Sequence, residues 1–176
     1  PDAPHAECRK LLTGADIVPG RIEFHHRYVD YRPAFMRELE RSRGGNGLRL
    51  RSPELFTRPK ILSRQTADRI IAAFDRHGEY CYANTLHGIF PRTDGIDGEY
   101  LTLYLNSDHA RDAYRALSGE TGRVFAQIKI AILKRLPVVL PPLEVQRRIV
   151  SHCRGLAQAR GDEAVASGIV FDDFNR

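Results

Sequence analysis

The chain has 176 residues, of which 42% are hydrophobic and 28% charged, with 27 Lys plus Arg against 22 Asp plus Glu for a net charge of +5. That is the size of one ordinary domain with a real core, and the balance excludes disordered, collagen-like and disulfide-dense classes. No window approaches the roughly 20 apolar residues of a membrane span and no signal-peptide pattern opens the chain, so a soluble, cytoplasmic protein without a membrane partner is expected.

The chain starts at Pro1 and its only methionine is Met36, which suggests a fragment of a longer protein. Pro19-Gly20 is turn punctuation, and Arg21 to Tyr31 alternates well enough to predict a strand. Pro33 can open a short helix with an apolar face of Ala34, Phe35, Met36 and Leu39, ended by Gly44-Gly45-Asn46-Gly47, which reads as a surface loop. Lys60 to Gln65 and Arg69 to Phe74 read as strands joined by Thr66-Ala67-Asp68. The second, apolar on both faces, is expected at the centre of a sheet, and Tyr80 to Phe90 completes a small meander.

From Tyr100 the apolar spacing becomes three and four, which predicts two helices meeting at Asn106-Ser107, with Ser107 or Asp108 as the second N-cap and Ser118-Gly119 as its end. Phe125 to Val139 reads as a buried run broken by Pro137. Pro141-Pro142 opens a last helix with a stripe of Val145, Ile149, Cys153 and Leu156. Residues 161–176 read as a loosely structured tail, so residues 1–160 are taken as the domain. Cys8, Cys81 and Cys153, odd in number and without C-x-x-C spacing, read as reduced thiols that are mostly buried.

The charge is unevenly placed. Residues 1–64 carry a net +5, residues 65–110 carry −4, residues 111–135 carry +4 and the remainder is neutral. The densest basic run, from Arg41 to Arg76, is the footprint expected where phosphates are neutralised, although a solvated basic face gives the same arithmetic. The seven histidines lack ligand spacing, so no metal site is expected. No G-x-S-x-G occurs, and Gly95-Ile96-Asp97-Gly98 lacks the context of a nucleotide loop. Nothing here points to a catalyst, and no cofactor is expected on this chain.

A series of segments carries a family signature: Lys60 to Gln65, Ile70 to Asp75, Tyr80 to Leu86, Leu103-Tyr104-Leu105-Asn106-Ser107, Phe125 to Lys129, and Leu136 to Val150 with its Pro141-Pro142-Leu143-Glu144-Val145-Gln146 core. In order and spacing this resembles the TaqI-like C-terminal specificity domain of N6-adenine DNA methyltransferases. The last segment also resembles the Pro-rich junction of type I restriction specificity subunits, and Leu11-Leu12-Thr13-Gly14-Ala15-Asp16-Ile17 is similar to the start of the recognition region in type IIG enzymes.

The resemblance implies a target recognition domain of restriction-modification enzymes. Its expected fold is α+β, a small mixed β-sheet with packed helices and a C-terminal helix. It also implies double-stranded DNA as partner, together with a separate N-terminal catalytic methyltransferase domain that binds S-adenosylmethionine. The N-P-P-Y or D-P-P-Y motif of that catalytic half is absent from this sequence.

Polar residues on loops beside the sheet are the candidate DNA contacts: Arg58, Lys60, Arg64, Gln65 and Arg69 first, then Arg123, Gln127, Lys129 and Lys134. Arg suits guanine, Gln suits adenine and Lys suits phosphate. Ile61, Leu62, Ile70, Ile71 and Phe74 are core in any reading, and Asn106 reads as satisfying backbone groups at a helix junction. Two other functions stay open: a docking module that holds a partner chain through the helix over residues 142–160, and an enzyme using an unrecognised His/Asp site.

Overall fold

The computed structural model describes residues 7–42, 52–119 and 127–159. Strands β1 (Cys8–Leu12), β4 (Tyr28–Asp30) and β7 (Tyr80–Tyr82) form one sheet in the order β4-β1-β7, with β1 antiparallel to β4 and parallel to β7. Strands β5 (Lys60–Arg64), β6 (Ala72–Asp75) and β8 (Leu86–Ile89) form a second, antiparallel sheet in the order β6-β5-β8. A two-residue hairpin, β2 (Ile17–Val18) with β3 (Arg21–Ile22), lies against β6. Helices α1 (Pro33–Ser42), α3 (Gly98–Asn106), α4 (Asp108–Ser118) and α6 (Leu143–Ala159), the single turns α2 (Glu54–Thr57) and α5 (Ile130–Leu133), and a 3-10 turn at Gly14–Asp16 complete the described elements. The class is α+β with a C-terminal helix, as expected.

The second sheet is the middle layer, because its side chains alternate between two cores. On β5, Ile61 joins the cluster of Tyr100, Tyr104, Tyr114, Ile149 and Cys153 under the helices, and Leu62 joins Leu12, Ile17 and Leu86 on the opposite side. Ala72 and Ala73 on β6 divide in the same way, as the period of two requires. Cys81 and Cys153 are buried free thiols, with desolvation pushing both upward in pKa, and Cys8 is half-buried.

Several expectations need correction. The strand expected at the centre is the edge strand β6, and β5 is the centre. Burial of both faces says nothing about which edges are paired. The free edge of β6 is closed by Asn106, whose Oδ1 accepts from the Ala72 N–H at 3.0 Å and whose Nδ2 donates to the Ala72 carbonyl at 2.8 Å, and by the Gly20 N–H on that same carbonyl. The meander does not form either. The run from Tyr80 divides at Ala83, where the chain crosses from β1 to β5, giving β7 to one sheet and β8 to the other.

The strand expected over 21–31 is likewise broken, with His26 at a positive φ of 54° between β3 and β4. The run ending at Val139 is mostly exposed rather than buried. Among its described residues Ile128 and Leu136 enter the core, but Ile130 is 49% and Val139 69% exposed.

The helix signals fare better. Helix α1 spans Pro33–Ser42, and the glycine cluster after it lies outside the described residues. Ser107 caps α4 by accepting from the Ala110 N–H, and Gly119 ends it at a φ of 63°, where a Cβ would be strained. Helix α3 begins earlier than expected, capped by Asp97 through the N–H groups of Glu99 and Tyr100. Gly98 starts it because a Cβ there would sit 2.5 Å from the Phe74 ring. The stripe on α6 faces the protein's own core: Ile149 and Cys153 are buried, and Val145 and Leu156 pack against the same cluster. Residues 161–176 lie outside the described residues.

Candidate nucleic-acid interface

Strand β8 has one side paired to β5, and the segment around α5 docks beside it. Two contacts with β5's end hold that segment: the Ile128 N–H donates to the Gln65 carbonyl at 2.7 Å, and Thr66 bridges Gln127. A third comes from β8, where His87 Nε2 lies 2.8 Å from the Ile128 carbonyl. The Tyr114 hydroxyl accepts the Lys129 N–H at 2.7 Å, which seats the start of α5 on α4.

Between β8 and α5 runs a cleft of about 1000 Å³ with an apolar floor that includes Leu101, Leu105 and Leu133. Its cations are Arg58, Arg92 and Lys134, and no acidic side chain lines it. The Arg58 guanidinium stacks 4.0 Å over the Phe90 ring, which fixes its plane at one end of the cleft.

Elsewhere many surface cations are paired. Lys10 meets Glu79 at 2.8 Å, Arg27 meets Asp16 at 2.6 Å, Arg32 meets Asp30 at 2.6 Å, Arg111 meets Asp108 at 2.5 Å, and Arg76 and Arg154 share Glu99. Among the described residues Arg58, Arg92 and Lys134 have no acidic partner. Much of the acidic middle of the sequence is compensated by cations: Asp75, Glu79, Glu99 and Asp108 sit in ion pairs, and Asp97 caps a helix. The cleft lining itself carries a net positive charge.

The residues expected to touch DNA divide accordingly. Arg58, Gln127, Lys129 and Lys134 are exposed, and Gln65 is half-buried beside Gln127. Lys60 must be corrected. Its side chain is fully buried, its Nζ donating to the Phe56 carbonyl at 2.9 Å and to the Asp75 carboxylate, so it is a core ion pair and not a phosphate anchor.

Arg64 and Arg69 each spend a guanidinium N–H inside the fold, on the Ile17 carbonyl at 2.7 Å and the Asn106 carbonyl at 2.7 Å, and Arg69 also meets Asp108. They brace the sheet at the end away from Arg58 and do not form one edge with it. Arg123 lies outside the described residues. His87 and Arg92 also line the cleft, and neither is legible there from sequence: the histidine spacing points to no site, and Arg92 sits in a window of net negative charge.

The signature motifs turn out to be structural. In the opening motif Asp16 is fully buried; desolvation alone would raise its pKa, but hydrogen bonds from the Thr13 N–H, Arg27, His25 and the Thr13 hydroxyl hold its carboxyl well below the usual carboxylate range. In the Pro-rich segment Gln146, also fully buried, accepts the Asp97 N–H at 2.8 Å and donates to the carbonyls of Gly95 and Pro141 at 2.8 and 2.7 Å. The hydroxyls of Tyr100 and Tyr104 donate to the carbonyls of Val139 and Pro137, so the strap leading into α6 is held from one side by α3. Gly95 and Gly98 serve this joint: Gln146 donates to the Gly95 carbonyl, and the Phe74 ring fills the space beside Gly98.

Among the described residues no helix is long and apolar enough to cross a membrane. A family model described as the TaqI-like C-terminal specificity domain matches residues 9–138. No curated protein matches the chain.

Proposed function

The chain belongs to the TaqI-like C-terminal specificity domain family, a DNA-recognition domain of restriction-modification enzymes, and from that premise we propose that it grips double-stranded DNA through the face formed by β8, α5 and the Arg58 and Arg92 loops. The observation that carries this reading is the set of three cations around a cleft without acidic lining, one of them stacked flat on the Phe90 ring. Arg58, Arg92, Lys129 and Lys134 supply phosphate contacts, and Gln65 and Gln127 supply polar groups for base edges. On this reading the domain is not catalytic by itself. It presents the site to a separate catalytic domain of an N6-adenine DNA methyltransferase, and S-adenosylmethionine binds there.

Four phosphate contacts imply that log K falls with log salt with a slope of about −3.6, so affinity drops on the order of 10²-fold between 50 and 200 mM salt. Removing two of the cations with Arg92→Ala and Lys134→Ala should flatten the slope by about 1.8. Fluorescence anisotropy on a labelled duplex measures both. An unchanged slope in a folded double variant would refute this face.

A further inference from the structure

The side chains that line the cleft differ sharply in hydrogen-bonding capacity. Arg58, Arg92 and Lys134 can only donate, and the remaining lining side chains, among them Ile89, Phe90 and Leu105, are apolar. His87 is the one lining side chain with a lone pair to offer. Its two ring nitrogens are not equivalent, because Nε2 lies 2.8 Å from the Ile128 carbonyl. A carbonyl oxygen only accepts, so Nε2 carries the hydrogen, and in the neutral ring Nδ1 is then the acceptor.

That tautomer is held by the fold. Ile128 is buried, and its N–H is pinned to the Gln65 carbonyl, which places its own carbonyl opposite β8. The cleft thus offers apolar surface for the face of a base, cations for phosphates, and one lining side chain whose acceptor nitrogen is set by the fold. Its volume of about 1000 Å³ is at the upper end of the ~300–1,000 Å³ range of ligand pockets. An acceptor discriminates between bases. The exocyclic amines of adenine and cytosine donate, whereas the carbonyl oxygens of guanine and thymine at the corresponding positions would meet it lone pair to lone pair.

We propose that His87 is a specificity-determining residue, its Nδ1 accepting a hydrogen bond from the exocyclic amine of an adenine or cytosine presented to the cleft. This rests on the DNA-recognition reading above. The Ile128 carbonyl is then a positioning group, since it acts through the imidazole.

The test begins with a duplex selected by the 176-residue chain from a random pool. In it each adenine is replaced in turn by purine and each cytosine by 2-pyrimidinone, which deletes one exocyclic amine at a time and tells the two bases apart. One replacement should weaken binding by the wild-type protein roughly 10- to 100-fold and leave binding by His87→Ala unchanged. His87→Gln, which can still donate to the Ile128 carbonyl while offering an acceptor oxygen, should keep the preference for the amine. His87→Lys, which can donate to that carbonyl but accept nothing, should lose it while remaining folded. If the protein binds the selected duplex with steep salt dependence and no amine deletion separates wild type from His87→Ala or His87→Lys, the role of His87 is overturned and the DNA reading stands. If no duplex is selected and no salt-dependent binding is seen, both fall together.

Discussion

The buried Lys60–Asp75 pair offers a direct way to separate a residue that holds the fold from one that touches DNA. The Lys60 side chain is 0% exposed and that of Asp75 2%, and Nζ bonds only inward, to the Phe56 carbonyl and the Asp75 carboxylate. Lys60→Met keeps most of the hydrocarbon and removes the charge. Asp75 then keeps two donors, the N–H groups of Glu79 at 3.0 Å and Tyr80 at 3.2 Å, and the Phe56 carbonyl loses the lysine.

Breaking one side of a buried pair costs about 3–5 kcal/mol, and the two surviving N–H bonds place this case near the lower end. With an m-value of roughly 1–3 kcal/mol/M in urea, the unfolding midpoint should fall by about 1–3 M. Adding Asp75→Asn should recover much of that loss, because no uncompensated charge remains inside. DNA affinity per folded molecule should stay within about twofold, far below the effect of removing a phosphate contact. Urea titration followed by circular dichroism, with anisotropy on the same samples, reads both quantities. A Lys60→Met protein of near wild-type stability that binds DNA tenfold more weakly would refute the assignment of Lys60 to the core.

Asp16→Asn should cost about 1.5–3 kcal/mol at pH 7, since it weakens hydrogen bonds to a buried carboxylate. The folded-state pKa of Asp16 is depressed, so its contribution is fully present above the unfolded value of about 3.9 and is lost as pH falls from there toward the folded value. The gap between the two proteins should therefore shrink below about pH 4, as urea titrations from pH 7 to pH 3 would show. Asn106→Ala leaves the Ala72 N–H on the buried edge of β6 without its partner; a loss of about 1–3 kcal/mol and faster hydrogen exchange at that amide are expected. Gln146→Leu removes two bonds between α6 and the Gly95–Asp97 loop and one to the Pro141 carbonyl. It should lower the melting temperature and raise proteolysis in that loop, and unchanged protection there would contradict the clamp.

The local grammar of the helices was legible because each signal acts within a turn of itself. Ser107 reaches Ala110, Gly119 closes on Arg115, and Pro141-Pro142 stands just before α6. Asp97 is not legible as a cap because Gly98 follows it, and that glycine is explained only by Phe74, a residue from β6 that lies far away in sequence. The candidate contacts were legible as residue types and not as places. Lys60 reads as a surface cation until Asp75, in register opposite it on β6, takes its charge.

The sequence by itself determined an α+β domain of the specificity family, through ordered motifs, helix caps and an apolar stripe that need only local geometry or family order to be read. Tertiary structure alone decided which strand is central, which cations are already neutralised, and that His87 and Arg92 share a cleft with Arg58 and Lys134. Strand order depends on which edges pair, and free charge depends on which acids arrive from distant segments. Periodicity along one strand carries neither, so the basic face emerged only when the chain closed around it.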